Sequence, residues 1–138
     1  VSIVASLRKK ESKRVQNLRD YFWAKLSLIE PRAELTVPCV VGEPVPREGT
    51  DFLPNILSVY FPEREADYLT TKLDFLGIAV SSGSACHARA PQPSNVVKAL
   101  GFSDVRAMRT IRFSFGRPTT NVHIEAALKK IKTVFDSL

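Results

Sequence analysis

Apolar side chains recur at steps of three and four in three stretches of the chain, with shorter apolar or alternating runs between them. Val15, Leu18, Phe22, Leu26 and Ile29 fall on one face of a helix over about residues 3–29, which Pro31 stops. Ala66, Leu69, Leu73 and Leu76 repeat the pattern, and Gly77 follows as a left-handed terminator. Ile124, Leu128, Ile131, Phe135 and Leu138 form a third stripe on a helix that opens near residues 119–121. Ile56-Leu57-Ser58-Val59-Tyr60-Phe61 is an apolar run of strand length between Pro54 and Pro62. Residues 110–115 alternate: Ile111, Phe113 and Phe115 point one way, and Thr110, Arg112 and Ser114 the other. Further short strands are expected at 35–41, ahead of a loop rich in proline and glycine, and at Ile78-Ala79-Val80. Ser94 and Ser103 are placed to cap two short helices, one over 95–100 closed by Gly101 and one ending at Met108.

This order of elements predicts an α+β protein with a small, mostly antiparallel sheet and helices packed mainly on one side. At 138 residues the chain has the size of a single domain. An apolar fraction of 44% and a charged fraction of 25% are those of an ordinary soluble globular protein. No apolar run approaches the ~18 residues that span a bilayer, so no membrane association is expected. Arg8, Lys9 and Lys10 follow the first apolar residues, the wrong charge order for a secretory signal. A start at Val1 rather than Met points to a chain cut from something longer, or to processing. Cys39 and Cys86 lie in dissimilar surroundings without a CxxC pattern and read as free thiols, which places the protein in the cytoplasm. His87 and His123 are the only histidines, too few for a protein-only zinc site. Twenty basic against 14 acidic residues give a net charge of +6, which favours anionic partners without naming them.

Two residues carry candidate chemistry. Cys86 follows the small-residue run Ser81-Ser82-Gly83-Ser84-Ala85, which lets backbone approach a ligand closely. His87 and Arg89 beside it favour thiolate over thiol, and hence nucleophilicity. The competing reading is a small, buried, inert cysteine. Arg112 shares the polar side of its strand with Thr110 and Ser114, where a guanidinium can offer a planar fork to a carboxylate. The plainer reading is an arginine reaching from a sheet face to solvent. Arg117 belongs to the turn before the last helix, His87 is an isolated loop histidine, and Cys39 reads as packing. Arg8, Lys9, Lys10, Lys13 and Arg14 could bind phosphates, but on a helix whose other face is apolar they read as its wet side.

Ser82-Gly83-Ser84-Ala85-Cys86, Pro93-Ser94, Ala99-Leu100-Gly101, Ile111-Arg112-Phe113-Ser114-Phe115-Gly116-Arg117 and Thr119-Thr120 together resemble the C-terminal part of the cysteine desulfurases. These are pyridoxal-phosphate enzymes of the class V aminotransferase superfamily. The spacing from Cys86 to Pro93 is similar to that of the subgroup with a long cysteine loop. The resemblance implies the small C-terminal domain of a fold-type I enzyme, with residues 1–30 as the linking helix and 31–138 as the domain proper. It implies Cys86 as the thiol that takes sulfur from L-cysteine as a persulfide, releasing alanine, and Arg112 as the clamp on the substrate carboxylate. It also implies a homodimer in full-length form and a sulfur-acceptor protein such as an iron–sulfur scaffold.

The family's large domain, with its cofactor-attaching lysine, ring-stacking histidine, ring-nitrogen aspartate and phosphate loop, has no counterpart here. Pyridoxal 5'-phosphate is therefore not expected to be bound covalently by this chain, and the chain alone is expected to be inert. His87 and Arg89 depart from the small or hydroxyl residues more usual in that loop. The alternatives are a stand-alone sulfur-carrier or interaction module and, on net charge alone, a nucleic-acid binder, which lacks aromatic platforms and a recognised binding fold.

Overall fold

The computed structural model describes residues 2–36, 53–83 and 92–137. Along them run α1 (Ser2–Ile29), β1 (Glu34–Leu35), β2 (Ile56–Tyr60), α2 (Ala66–Phe75), β3 (Ser81–Ser82), α3 (Asn95–Ala99), α4 (Asp104–Met108), β4 (Thr110–Ser114) and α5 (Asn121–Asp136). The four strands form one sheet in the order β1-β2-β4-β3, with every neighbouring pair antiparallel. The α+β architecture read from the element order is the observed one.

Period-two alternation gives the sheet one apolar and one polar face. Leu57 and Val59 of β2, with Ile111 and Phe113 of β4, are buried on the apolar face. Against it pack Leu18, Phe22 and Leu26 of α1, Leu69 and Leu73 of α2, and Ile124, Leu128 and Ile131 of α5, in one cluster. Each such side chain contributes about 1.5–3 kcal/mol on full burial. The Phe22 ring lies 5.0 Å from that of Phe113 and 5.5 Å from that of Phe115. Tyr21 donates to Glu125, which fixes α1 against α5 on their exposed flanks. The short helices α3 and α4 border the polar face instead.

Helix ends follow the local chemistry. Ser94, Ser103 and Thr120 accept from the backbone N–H three residues on, capping α3, α4 and α5. Gly77, at φ 74°, ends α2: its N–H donates to Asp74 O at 2.8 Å and that of Ile78 to Leu73 O at 2.9 Å. Those two bonds satisfy carbonyls that the helix leaves open. Lys130 Nζ of α5 takes another, Leu76 O, at 2.6 Å.

Two expectations shift. The third strand forms at Ser81 and Ser82, not at 78–80, because only there does the chain meet partners on β4, Arg112 and Ile111. Ile78 and Val80 pack at the border of the core instead. The first strand begins at Glu34, and residues 37–41 of that expectation lie outside the described residues. Along α1 the buried stripe starts only at Val15, and Ile3, Val4 and Leu7 are exposed. Among the described residues, no helix is long and apolar enough to cross a membrane.

A buried carboxylate fastens the end of α1. Glu30 accepts from Arg32 Nε at 3.2 Å and from Arg64 Nη2 at 3.4 Å, and Arg32 also pairs with Glu63. The Arg64 guanidinium lies 4.7 Å over the Phe135 ring, so the cluster joins α1, the segment after β2, and α5. Burial alone would push the Glu30 carboxyl up. The Arg32 side chain, backbone N–H and charge, with the Arg64 hydrogen bond, outweigh burial and hold it below its ordinary value.

A tight contact joins β3 to α3. A methyl group on Gly83 would lie 2.1 Å from Ser94 Cβ and 2.8 Å from Ser94 Cα, so only glycine fits against the capping residue of α3.

Two outcomes are expected. A carboxyl with a depressed folded value adds stability above its ordinary value and loses it as pH falls through the folded one. The stability gap between the parent chain and Glu30→Gln, from urea unfolding, should therefore narrow between neutral pH and about pH 3. A gap constant over that range would contradict the Glu30 assignment. Gly83→Ala should lower unfolding free energy by about 1–3 kcal/mol through the forced displacement of Ser94. An unchanged urea midpoint would show that the contact is not tight.

Candidate functional site

The centre of β4 positions a guanidinium at the wall of a cleft. Alternation sends Ile111 and Phe113 into the core and leaves Arg112 on the polar face, exposed. Directly across from Arg112 stand Ser58 on β2 and Ser81 on β3. With Gly83, Ser94 and Val97 these side chains wall a cleft of about 220 Å³. Ser82 and Gly83 also border a second cavity, of about 250 Å³, toward Glu65 and Met108.

Other arginines of the fold are engaged. Arg106 lies between the rings of Tyr60 and Phe102, at 4.4 and 4.5 Å, and pairs with Glu34 at 2.7 Å. Arg109 pairs with Glu65 at 2.9 Å and donates to Pro62 O. Arg14 pairs with Glu11 and donates to the carbonyls of Gly116, Arg117 and Thr119. It therefore straps the turn after β4 to α1, and is no part of a phosphate-binding cluster. Arg8, Lys9, Lys10 and Lys13 are exposed on α1. Arg112, by contrast, makes no side-chain hydrogen bond or ion pair among the described residues. A cation in a concave wall lined with hydroxyls is suited to a small anion with a planar pair of oxygens.

Of the residues singled out in the sequence, Arg112 lies in the cleft and Arg117 in the exposed turn before α5. Cys86, His87, Arg89 and Cys39 lie outside the described residues. Among the described residues, no group of three His, Cys, Asp or Glu side chains converges as a metal site would. Sequence reasoning missed Ser58 and the contact of Gly83 with Ser94. The signal for Ser58 was a lone hydroxyl in the middle of an apolar strand. Gly83 stood in the small-residue run before Cys86, but nothing in the sequence pointed to Ser94, eleven positions away, as what it packs against.

The family model for the class-V aminotransferases matches residues 45–127, more than half of the chain. A cysteine desulfurase of Azotobacter chroococcum is 32% identical over 128 residues, covering 93% of this chain and 30% of that protein. The cysteine desulfurase IscS of Pseudomonas aeruginosa is 40% identical over 121 residues, covering 88% of this chain and 27% of that protein. A solved NifS-like protein superposes with a TM-score of 0.73 at 25% identity, over 99% of this chain and 31% of that one. The chain thus spans less than a third of the length of these relatives. It belongs to the class-V aminotransferase family, and within that family its similarity is to the cysteine desulfurases.

Proposed function

We propose that this chain is the small C-terminal domain of a cysteine desulfurase, with Arg112 holding the carboxylate of L-cysteine and Cys86 receiving its sulfur. The observation that carries this reading is the pairing of Ser81 with Arg112. The strand that leads toward the thiol is the one laid beside a guanidinium without a partner among the described residues. Gly83 lines the same cleft, and Cys86 follows it by three residues, a reach of about 11 Å at most.

In the net reaction the sulfur of L-cysteine passes to the Cys86 sulfur. The thiol becomes a persulfide, and the carbon that loses sulfur gains a proton to give alanine. Pyridoxal phosphate supplies the electron sink for breaking that carbon–sulfur bond in the family. The cleft does not fit this cofactor: among the described residues its lining holds no lysine to attach the aldehyde and no acid to pair with the ring nitrogen. The cofactor belongs, in this reading, to a large domain outside the 138 residues. What this chain contributes is recognition and sulfur acceptance. Arg112 neutralises the carboxylate and fixes the orientation of the substrate's thiol-bearing arm. A cytoplasmic homodimer that hands its persulfide to an iron–sulfur scaffold protein is the corresponding whole-protein proposal.

In the full-length, cofactor-loaded protein, Cys86→Ser should abolish alanine formation, and Arg112→Ala should raise KM for L-cysteine by about tenfold or more. Peptide mass analysis should find about 32 Da added at Cys86 after turnover. Undiminished turnover in Cys86→Ser would contradict the thiol's role, and an unchanged KM in Arg112→Ala would contradict the clamp. The 138-residue chain mixed with pyridoxal phosphate and L-cysteine should release no alanine. Robust release would show that no outside polypeptide is needed.

A further inference from the structure

Arg112 has a closer neighbour than the loop strand. Hydrogen-bond direction alternates along an antiparallel pair, and the described bonds fix its phase. Phe61 N–H donates to Arg109 O and Phe115 N–H to Asn55 O, both at 2.9 Å, so odd-numbered residues of β2 exchange bonds with β4. The Ser58 carbonyl instead accepts from Thr36 N–H, on the β1 side, at 2.9 Å. Ser58 and Arg112 are therefore a non-hydrogen-bonded pair, the closer of the two kinds, with Cα atoms about 4.5 Å apart. By the same phase Ser81 and Arg112 are a hydrogen-bonded pair, with Cα atoms about 5.5 Å apart.

Hydroxyl commitments separate the candidates further. Thr110 Oγ1 donates to Arg106 O at 2.7 Å, and Ser81 Oγ donates to Ser82 O at 3.1 Å. Ser94 Oγ accepts from Val97 N–H as the cap of α3, which leaves its own proton uncommitted but sets it at the end of a helix, not on the strand beside Arg112. Ser58, half-buried in the cleft wall, makes no side-chain hydrogen bond among the described residues. Its donor is open, on the same sheet face as the guanidinium and one strand away. A carboxylate held by a guanidinium fork uses two of about four lone-pair sites and can accept further donors.

We infer that Ser58 is a second substrate-binding residue: its Oγ–H donates to a carboxylate oxygen that Arg112 holds. The inference rests on the reading of Arg112 as the carboxylate clamp. It makes the site a guanidinium–hydroxyl pair built across β2 and β4, with Ser81 outside the donor set.

The test follows the Arg112 Nε–H resonance of the ¹⁵N-labelled chain during titration with L-alanine, the product carrying the same carboxylate. L-alaninamide, which lacks the charge, is the control. A saturable shift with L-alanine and none with L-alaninamide is expected. Ser58→Ala should raise the titration midpoint about tenfold, the loss expected for one hydrogen bond to a charged group in a half-open site. Ser58→Thr, which keeps the hydroxyl, should stay within about threefold of the parent, and Ser81→Ala likewise. In the cofactor-loaded full-length protein, Ser58→Ala should raise KM for L-cysteine and leave kcat within about twofold, as for binding shared by ground and transition states. Equal midpoints for Ser58→Ala and the parent, with the response lost in Arg112→Ala, would overturn the role of Ser58 and leave the Arg112 clamp standing. No response of the parent chain to L-alanine would overturn both.

Discussion

Strand β4 is held on both edges, by β2 and by β3, in a register that a slip of one residue would invert. Inversion would bring the Arg112 guanidinium among Phe22 and the helices of the core, and turn Ile111 and Phe113 out to water. An unpaired charge buried that way costs several kcal/mol, and the lost apolar burial adds to it. The packing of α1, α2 and α5 against one sheet face is thus what fixes Arg112, Ser58 and Ser81 on the other. The core and the cleft are two sides of the same constraint.

The arginines show how the fold separates scaffolding from recognition. Arg106 stacks between two rings and ties α4 to β1, Arg109 ties the start of β4 to the segment before α2, and Arg14 straps the turn after β4 to α1. Each meets its charge with carbonyls or a carboxylate, so each rigidifies a border of the sheet. Arg112, at the centre of that frame, is left without such a partner among the described residues. The strand fixes the Arg112 backbone, so only its side-chain rotamers remain to be ordered when a ligand binds. The Gly83–Ser94 contact completes the frame by holding the end of β3 against α3.

Much of this was readable along the chain. The three apolar stripes gave α1, α2 and α5 because a 3.6-residue period needs no knowledge of partners. The caps at Ser94 and Ser103 and the terminator at Gly77 are local chemistry as well. The alternation at 110–115 placed Arg112 on a polar face before any neighbour was known. Features set by a distant partner were not readable. The apolar residues 78–80 resemble a strand more than Ser81 and Ser82 do, yet pairing with β4 decides. Ser58 acquires its meaning only from the residue opposite, 54 positions away. The engagement of Arg14 by carbonyls after β4 likewise depends on tertiary contact, and so the run from Arg8 to Arg14 read as one uniform wet face.

The most direct measurement is the cross-strand register in solution. In an antiparallel sheet the two Hα atoms of a non-hydrogen-bonded pair face each other, so nuclear Overhauser spectra report that pairing residue by residue. The account predicts a strong contact between Hα of Ser58 and Hα of Arg112. A strong contact from Arg112 Hα to Leu57 or Val59 Hα instead would put the guanidinium on the wrong face of the sheet and contradict it.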